Sequence, residues 1–174
     1  MLSRLLREKG VLEFIAAAEG LRAEGVAAEF RLVGAMDSRN PTALSQTERE
    51  RLAASPVDWR GAVDDVRGEI EAADVVVLPS YREGTPRALL EAMAMGRPII
   101  TSDAPGCRGV VQPGRTGESV GTRDIAALAN AIGRFIRDPT RLTPMGRAAR
   151  AFVEERYDEA VVIERTLLAY RTAA

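Results

Sequence analysis

Glu83 and Glu91 stand eight positions apart within residues 79–98, PSYREGTPRALLEAMAMGRP, a separation of about two helical turns along one face. On this spacing Glu83 caps the mouth of a helix and Glu91 lines its flank. Residues 73–78 just before them, ADVVVL, are an almost continuous apolar run of the kind that fills a buried parallel strand. The segment therefore reads as strand, loop and helix N-terminus. Open α/β sheets bind ligands at that position, where free backbone N–H groups and the helix dipole favour an anion such as phosphate. A cation stands out as well: of 24 basic residues 23 are arginine, and Lys9 is the only lysine. Two readings of that bias stay open. Either composition drifted toward arginine and left one lysine, or position 9 requires a compact ammonium that a planar guanidinium replaces poorly.

The elements that must position these groups alternate along the chain. Residues 10–22 carry Val11, Leu12, Phe14, Ile15, Ala18 and Leu21 at helical spacing, and the helix ends near Gly25. A strand is expected over 29–35, a helix over 41–54 after Asn40-Pro41, and a short strand over 57–60 closed by Gly61. A helix over 64–72 precedes the apolar run, with Asp64 as N-cap and Asp65 as a first-turn acid. Strands at 97–102 and 117–120 and helices at 122–137, 141–156 and 158–171, the last capped by Asp158, complete the pattern. Such alternation predicts an α/β fold, a Rossmann-like doubly wound parallel sheet of about six strands with helices on both faces, spanning 1–174 as one domain.

Composition excludes more than it identifies. A formal net charge of −1, with cations scattered along the chain, gives no reason to propose nucleic acid or an anionic membrane as partner. No stretch reaches the roughly 18 apolar residues of a transmembrane helix, and the N-terminus is not of signal-peptide type, so a cytoplasmic location is expected. One cysteine and no histidine make a zinc site an unattractive reading, and no metal is assigned.

Taken together, these stretches resemble retaining GT-B glycosyltransferases of family 4, of the bacterial surface-polysaccharide type. The spaced glutamates carry the likeness first. Residues 4–10, RLLREKG, look like the family's first phosphate-binding turn, Leu32-Val33-Gly34 like its second strand end, and residues 103–108, DAPGCR, like the loop after its fifth strand. The resemblance implies a nucleotide-sugar donor, most simply UDP-linked, bound without a metal ion or other cofactor. It places Lys9 on the diphosphate, with Arg4 as the matching arginine; the amides of Arg87 and Ala88 at the helix start are further candidates, and the Arg87 side chain reads first as a solvated surface charge. It implies Glu83 on hydroxyls of the donor sugar, with Gly84 and Thr85 beneath the hexose, and Glu91 on the two ribose hydroxyls. The base is expected beside Arg60, Gly61 and Val63. Trp59 is read as core or sheet-edge packing, and Gly109 departs from relatives that carry a glutamate there.

A GT-B enzyme has two Rossmann-like domains, and this length supplies one. The implied half is the C-terminal, donor-binding one, its first strand clipped to Met1-Leu2-Ser3. The other half is expected to recognise a glycan or lipid-linked acceptor. The apolar stripe of residues 158–171 (Val161, Val162, Leu167, Leu168, Tyr170) is then expected to face that half. Two alternatives remain: a different GT-B enzyme such as a nucleotide-sugar 2-epimerase, or a nucleotide-binding module with no catalysis of its own.

Overall fold

The apolar run becomes β3 (Val76–Leu78), buried at every position in the computed structural model, which describes residues 1–173. β3 pairs in parallel with β4 (Ile99–Ser102), and β4 pairs in parallel with β5 (Gly117–Val120). A second parallel ladder joins β1 (Phe30–Leu32) to β2 (Val57–Trp59). Parallel neighbours require crossovers: α2 (Gln46–Ala54) supplies that of β1 to β2 and α4 (Arg87–Ala94) that of β3 to β4, while α3 (Arg67–Glu71) links the two ladders in sequence. α1 (Val11–Ala23) precedes β1, while α5 (Ile125–Arg137), α6 (Leu142–Tyr157) and α7 (Glu159–Ala173) follow β5. α1 packs on α5 and α4 on α6, and α4 and α5 pack in turn on the strands. Leu5, Ile15, Leu32, Ile70, Leu89, Ile99 and Ile100 are the large side chains at the centre of the core.

The strand count is close to the expected number of about six: among the described residues five strands form, in two ladders, and residues 1–3 add one parallel bridge, Leu2 to Val33. Two bonds of 2.9 Å support that bridge, Val33 N–H to the Met1 carbonyl and Ser3 N–H to the Val33 carbonyl. Between β1 and β3 lies a cavity of about 430 Å³ whose walls include Met1, Phe14, Phe30, Val76 and Phe135. Its lining is largely apolar and includes none of the residues assigned to the site.

Helix starts also differ from the sequence reading, for local reasons. α2 begins at Gln46 instead of 41, because Ser45 and Glu48 form a capping box. The Ser45 hydroxyl accepts from Glu48 N–H at 3.3 Å, and Ser45 N–H donates to Glu48 Oε2 at 2.7 Å. α3 begins at Arg67 with Val66 as its uncapped N-cap, so the Asp64 cap does not form. Asp65 instead accepts Arg67 N–H at 3.0 Å, a side chain-to-backbone bond two residues long that competes with a helix start. Asp158 does act as expected, accepting Ala160 N–H at 2.9 Å. The α7 residues Val162, Leu167, Leu168 and Tyr170 remain exposed.

Glu48 ties the capping box to the turn that carries Lys9. Arg7 donates to both oxygens of its carboxylate at 2.7–3.0 Å, and this bonding, first among several causes, holds the Glu48 carboxyl at about 2. A depressed folded value means the stabilisation is complete above the unfolded value of 4.5 and is lost as pH falls toward 2. Glu48→Ala is expected to lower stability in urea unfolding by about 1–2 kcal/mol at neutral pH. The deficit should shrink as pH falls below 4.5.

Candidate functional site

Every loop that carries a candidate residue leaves the carboxyl end of a strand. Residues 79–86 follow β3, 103–108 follow β4, Gly61 and Val63 follow β2, and Arg4 and Lys9 follow the Leu2 bridge. At the centre, Lys9 Nζ donates to Glu83 Oε1 at 2.7 Å, and the Ser80 hydroxyl donates to the same oxygen at 2.6 Å. The Lys9 and Glu83 side chains are 17% and 13% exposed, so the pair is shielded yet reachable from the rim. An ammonium has three donors, and one is used here. Two remain for a ligand.

Glu83 does not cap α4, contrary to the sequence reading. The N-cap is Pro86, which has no side-chain donor or acceptor, and Glu83 lies three residues outside it, bonded to Lys9 and Ser80. The first amides that turn back into the helix are those of Leu89 and Leu90, both bonded to the Pro86 carbonyl. The N–H groups of Arg87 and Ala88 precede them at an N-terminus with no acid in its first turn. That end of α4 is electropositive and open to an anion.

α4 buries Leu89, Ala92 and Met93, which turns Glu91 to the partly open face. Its only ion-pair partner among the described residues is Arg87, 3.6 Å away and 89% exposed, a contact that solvent weakens. Arg4 reaches Asp37 Oδ2 at 2.7 Å, a pair that is also open to solvent. Gly61 has a φ of 71°, and its carbonyl accepts from Gly34 N–H at 2.7 Å, while Val63 packs partly buried against the core. Trp59 ends the edge strand β2 and donates its indole N–H to the Gly34 carbonyl at 3.0 Å, consistent with sheet-edge packing. Gly84 and Thr85 lie in the loop between Glu83 and Pro86, and a Cβ at Gly84 would meet open space.

Three contributors escaped the sequence reading. Ser80 is the second donor to Glu83, and its carbonyl accepts from the Ser102 hydroxyl. Gly106 has a φ of 81°, and a Cβ there would fall 2.0 Å from the Glu83 carbonyl oxygen. Gly10, with a φ of 75°, lies against Pro79 in the same way. Each of the two glycines already stood in a stretch singled out for other reasons, RLLREKG or DAPGCR. What they touch could not be read from it. Cys107, beside this loop, is buried, and burial pushes its thiol up.

Two Rossmann-like ladders with the candidate loops at their carboxyl edge, joined by a lysine–glutamate pair beside an uncapped helix N-terminus, define a domain of the GT-B kind. The sequence profile described as glycosyl transferases group 1 matches residues 1–138. The chain belongs to that family. It is 34% identical over 171 residues to the N,N'-diacetylbacillosaminyl-diphospho-undecaprenol alpha-1,3-N-acetylgalactosaminyltransferase of Campylobacter jejuni, covering 98% of this chain and 43% of the relative. It is 26% identical to a capsular polysaccharide biosynthesis glycosyltransferase of Staphylococcus aureus, covering 97% and 44%. The solved sucrose-phosphate synthase of Thermosynechococcus elongatus superposes with a TM-score of 0.81 at 31% identity, covering 98% of this chain and 44% of that one. The chain thus spans less than half the length of the curated relatives it matches.

Proposed function

We propose that this domain holds the nucleotide-sugar donor of a retaining glycosyltransferase, with UDP as the nucleotide. In the complete enzyme a second Rossmann-like domain recognises a glycan or lipid-linked acceptor, and the hexose is transferred in the cleft between the two. The observation that carries this reading is the Lys9–Glu83 pair at the rim, next to the uncapped N-terminus of α4. It sets a cation and open amides beside a carboxylate, the groups that a diphosphate and a hexose require within a few ångströms of each other. The family membership and the glycosyltransferase relatives support the same reaction class.

Each part of the donor has a place in this scheme. Lys9, Arg4 and the Arg87 and Ala88 amides neutralise the diphosphate, which is the leaving group. Arg4 exchanges its exposed contact with Asp37 for the ligand. Glu83 receives hexose hydroxyls above Gly84 and Thr85, Glu91 receives the ribose, and the base lies by Gly61 and Val63. The cations neutralise the diphosphate charge that a metal ion would otherwise neutralise, so binding should survive chelation. No helix among the described residues is long and apolar enough to cross a membrane.

Titration of the folded chain with UDP and with UDP-glucose, in EDTA, tests the reading. Saturable binding at millimolar concentration or below is expected. A folded chain that binds neither ligand at that concentration overturns it.

A further inference from the structure

Tyr81 lies in the loop between β3 and Glu83, and it is bonded at both ends to the segment that carries Lys9. Its N–H donates to the Glu8 carbonyl at 2.8 Å, and its hydroxyl donates to Glu13 Oε1 at 2.6 Å. Glu13, on α1, is only 9% exposed, and its second oxygen, Oε2, is buried without a hydrogen-bond partner among the described residues. Arg123, in the loop between β5 and α5, sets its guanidinium over the Tyr81 ring, 4.4 Å from its centre. Arg123 is the only non-glycine residue with a positive φ, 63°, among the described residues.

These features are unfavourable taken one at a time. A half-satisfied buried carboxylate is destabilising, and an L side chain rarely adopts a left-handed backbone. A core that needed only volume would be served by leucine at 13 and phenylalanine at 81. What the two features share is Tyr81. That residue is adjacent to Ser80, which bonds Glu83, and its partners Glu8 and Glu13 flank Lys9 on either side in sequence. Burial above all, and then Glu13, push the Tyr81 hydroxyl up to about 12, while Arg123 opposes them. The hydroxyl therefore stays a donor throughout the neutral range.

We infer that Glu13, Tyr81 and Arg123 form a bracket of positioning residues that sets the spacing between the Lys9 turn and the Ser80–Glu83 loop, and so the geometry of the Lys9–Glu83 pair. The bracket rests on the donor-site reading for its role in binding, but its effect on the pair is a property of the chain alone. Without it the loop still closes on Pro105 through Glu83 N–H, yet the carboxylate loses its fixed distance from the ammonium.

The sole lysine makes the test direct, since the protein has a single side-chain ammonium to follow by ¹⁵N nuclear magnetic resonance. In Tyr81→Phe and Glu13→Ala the Lys9 ¹⁵Nζ resonance is expected to shift and its protons to exchange faster with water. Glu13→Gln, which keeps an acceptor for the hydroxyl, should retain the parent signal. Calorimetry should show UDP-glucose affinity falling about tenfold in the first two variants while UDP affinity changes less than about threefold, since one hydrogen bond is worth roughly a factor of ten. The double variant should be no weaker than Glu13→Ala. An unmoved Lys9 resonance in both Tyr81→Phe and Glu13→Ala overturns the inference, as does an equal loss for UDP and UDP-glucose. A parent chain that binds neither ligand refutes the donor-site reading alone, and the Lys9 resonance still decides on the bracket.

Discussion

Gly10→Ala is expected to lower stability by about 3–5 kcal/mol and to abolish donor binding. Two effects add at this position. Its φ of 75° is left-handed, which disfavours any L side chain, and a Cβ would lie 2.3 Å from the Pro79 carbonyl oxygen. That oxygen is backbone at the end of β3, so it can move only by displacing Ser80 and the loop that follows. Gly10 also links the Lys9 turn to α1, and its carbonyl receives Phe14 N–H at 3.0 Å. Relief of the clash therefore separates Lys9 from Glu83. Gly25→Ala is the internal control: its φ is 78°, but a Cβ there meets nothing within 4 Å. Backbone strain alone should make it about 1–2 kcal/mol less stable. Urea unfolding of the two variants separates strain from clash, and equal losses would show that the Pro79 contact carries no weight.

The contrast also shows where sequence reasoning ends. Both glycines follow a helical or turn segment and look alike in the sequence, and only the approach of β3 distinguishes them. The strand 73–78 and the helix after Gly10 were legible because apolar runs and glycine punctuation are local signals, whereas the bond between Lys9 and Glu83, 74 residues apart, is read only from the fold. The Ser45–Glu48 capping box was equally local, an S-x-x-E pattern, but Asn40-Pro41 five residues earlier offered a competing start. At α3 the aspartates looked like caps, and Asp65 spent its oxygen on a turn bond instead. The split of the sheet depends on how far residues 1–3 pair with their neighbours, which periodicity does not report. The bonds from Arg4 to Asp37 and from Tyr81 to Glu13 join residues 33 and 68 apart. Neither partner is marked by anything except the fold itself.

Glu83→Gln and Glu91→Ala are expected to divide the donor between them, and the structure explains why the division should be sharp. Glu83 is engaged in the free protein, taking Lys9 and Ser80 on one oxygen. Loss of its charge releases Lys9 to offer all three donors to a diphosphate, so UDP affinity in Glu83→Gln should hold or tighten slightly. UDP-glucose should weaken about 10- to 100-fold relative to UDP, the range for hydrogen bonds to a charged group. Glu91 is different. Its one exposed partner at 3.6 Å gives little competition, so its carboxylate is available to the ribose without first breaking a shielded ion pair. Glu91→Ala should weaken UDP and UDP-glucose by the same factor, about 10- to 100-fold, because both ligands carry the ribose. Stability should respond in the opposite order: Glu83→Gln leaves a shielded ammonium with a weaker partner and lowers the unfolding midpoint, whereas Glu91→Ala, on the open face of α4, leaves it nearly unchanged. Calorimetric titration of each variant with both ligands, alongside urea unfolding, gives six numbers, each with the outcome stated above. A Glu83 variant that loses UDP as strongly as UDP-glucose, or a Glu91 variant that loses only the sugar-bearing ligand, would exchange the two roles and refute the arrangement.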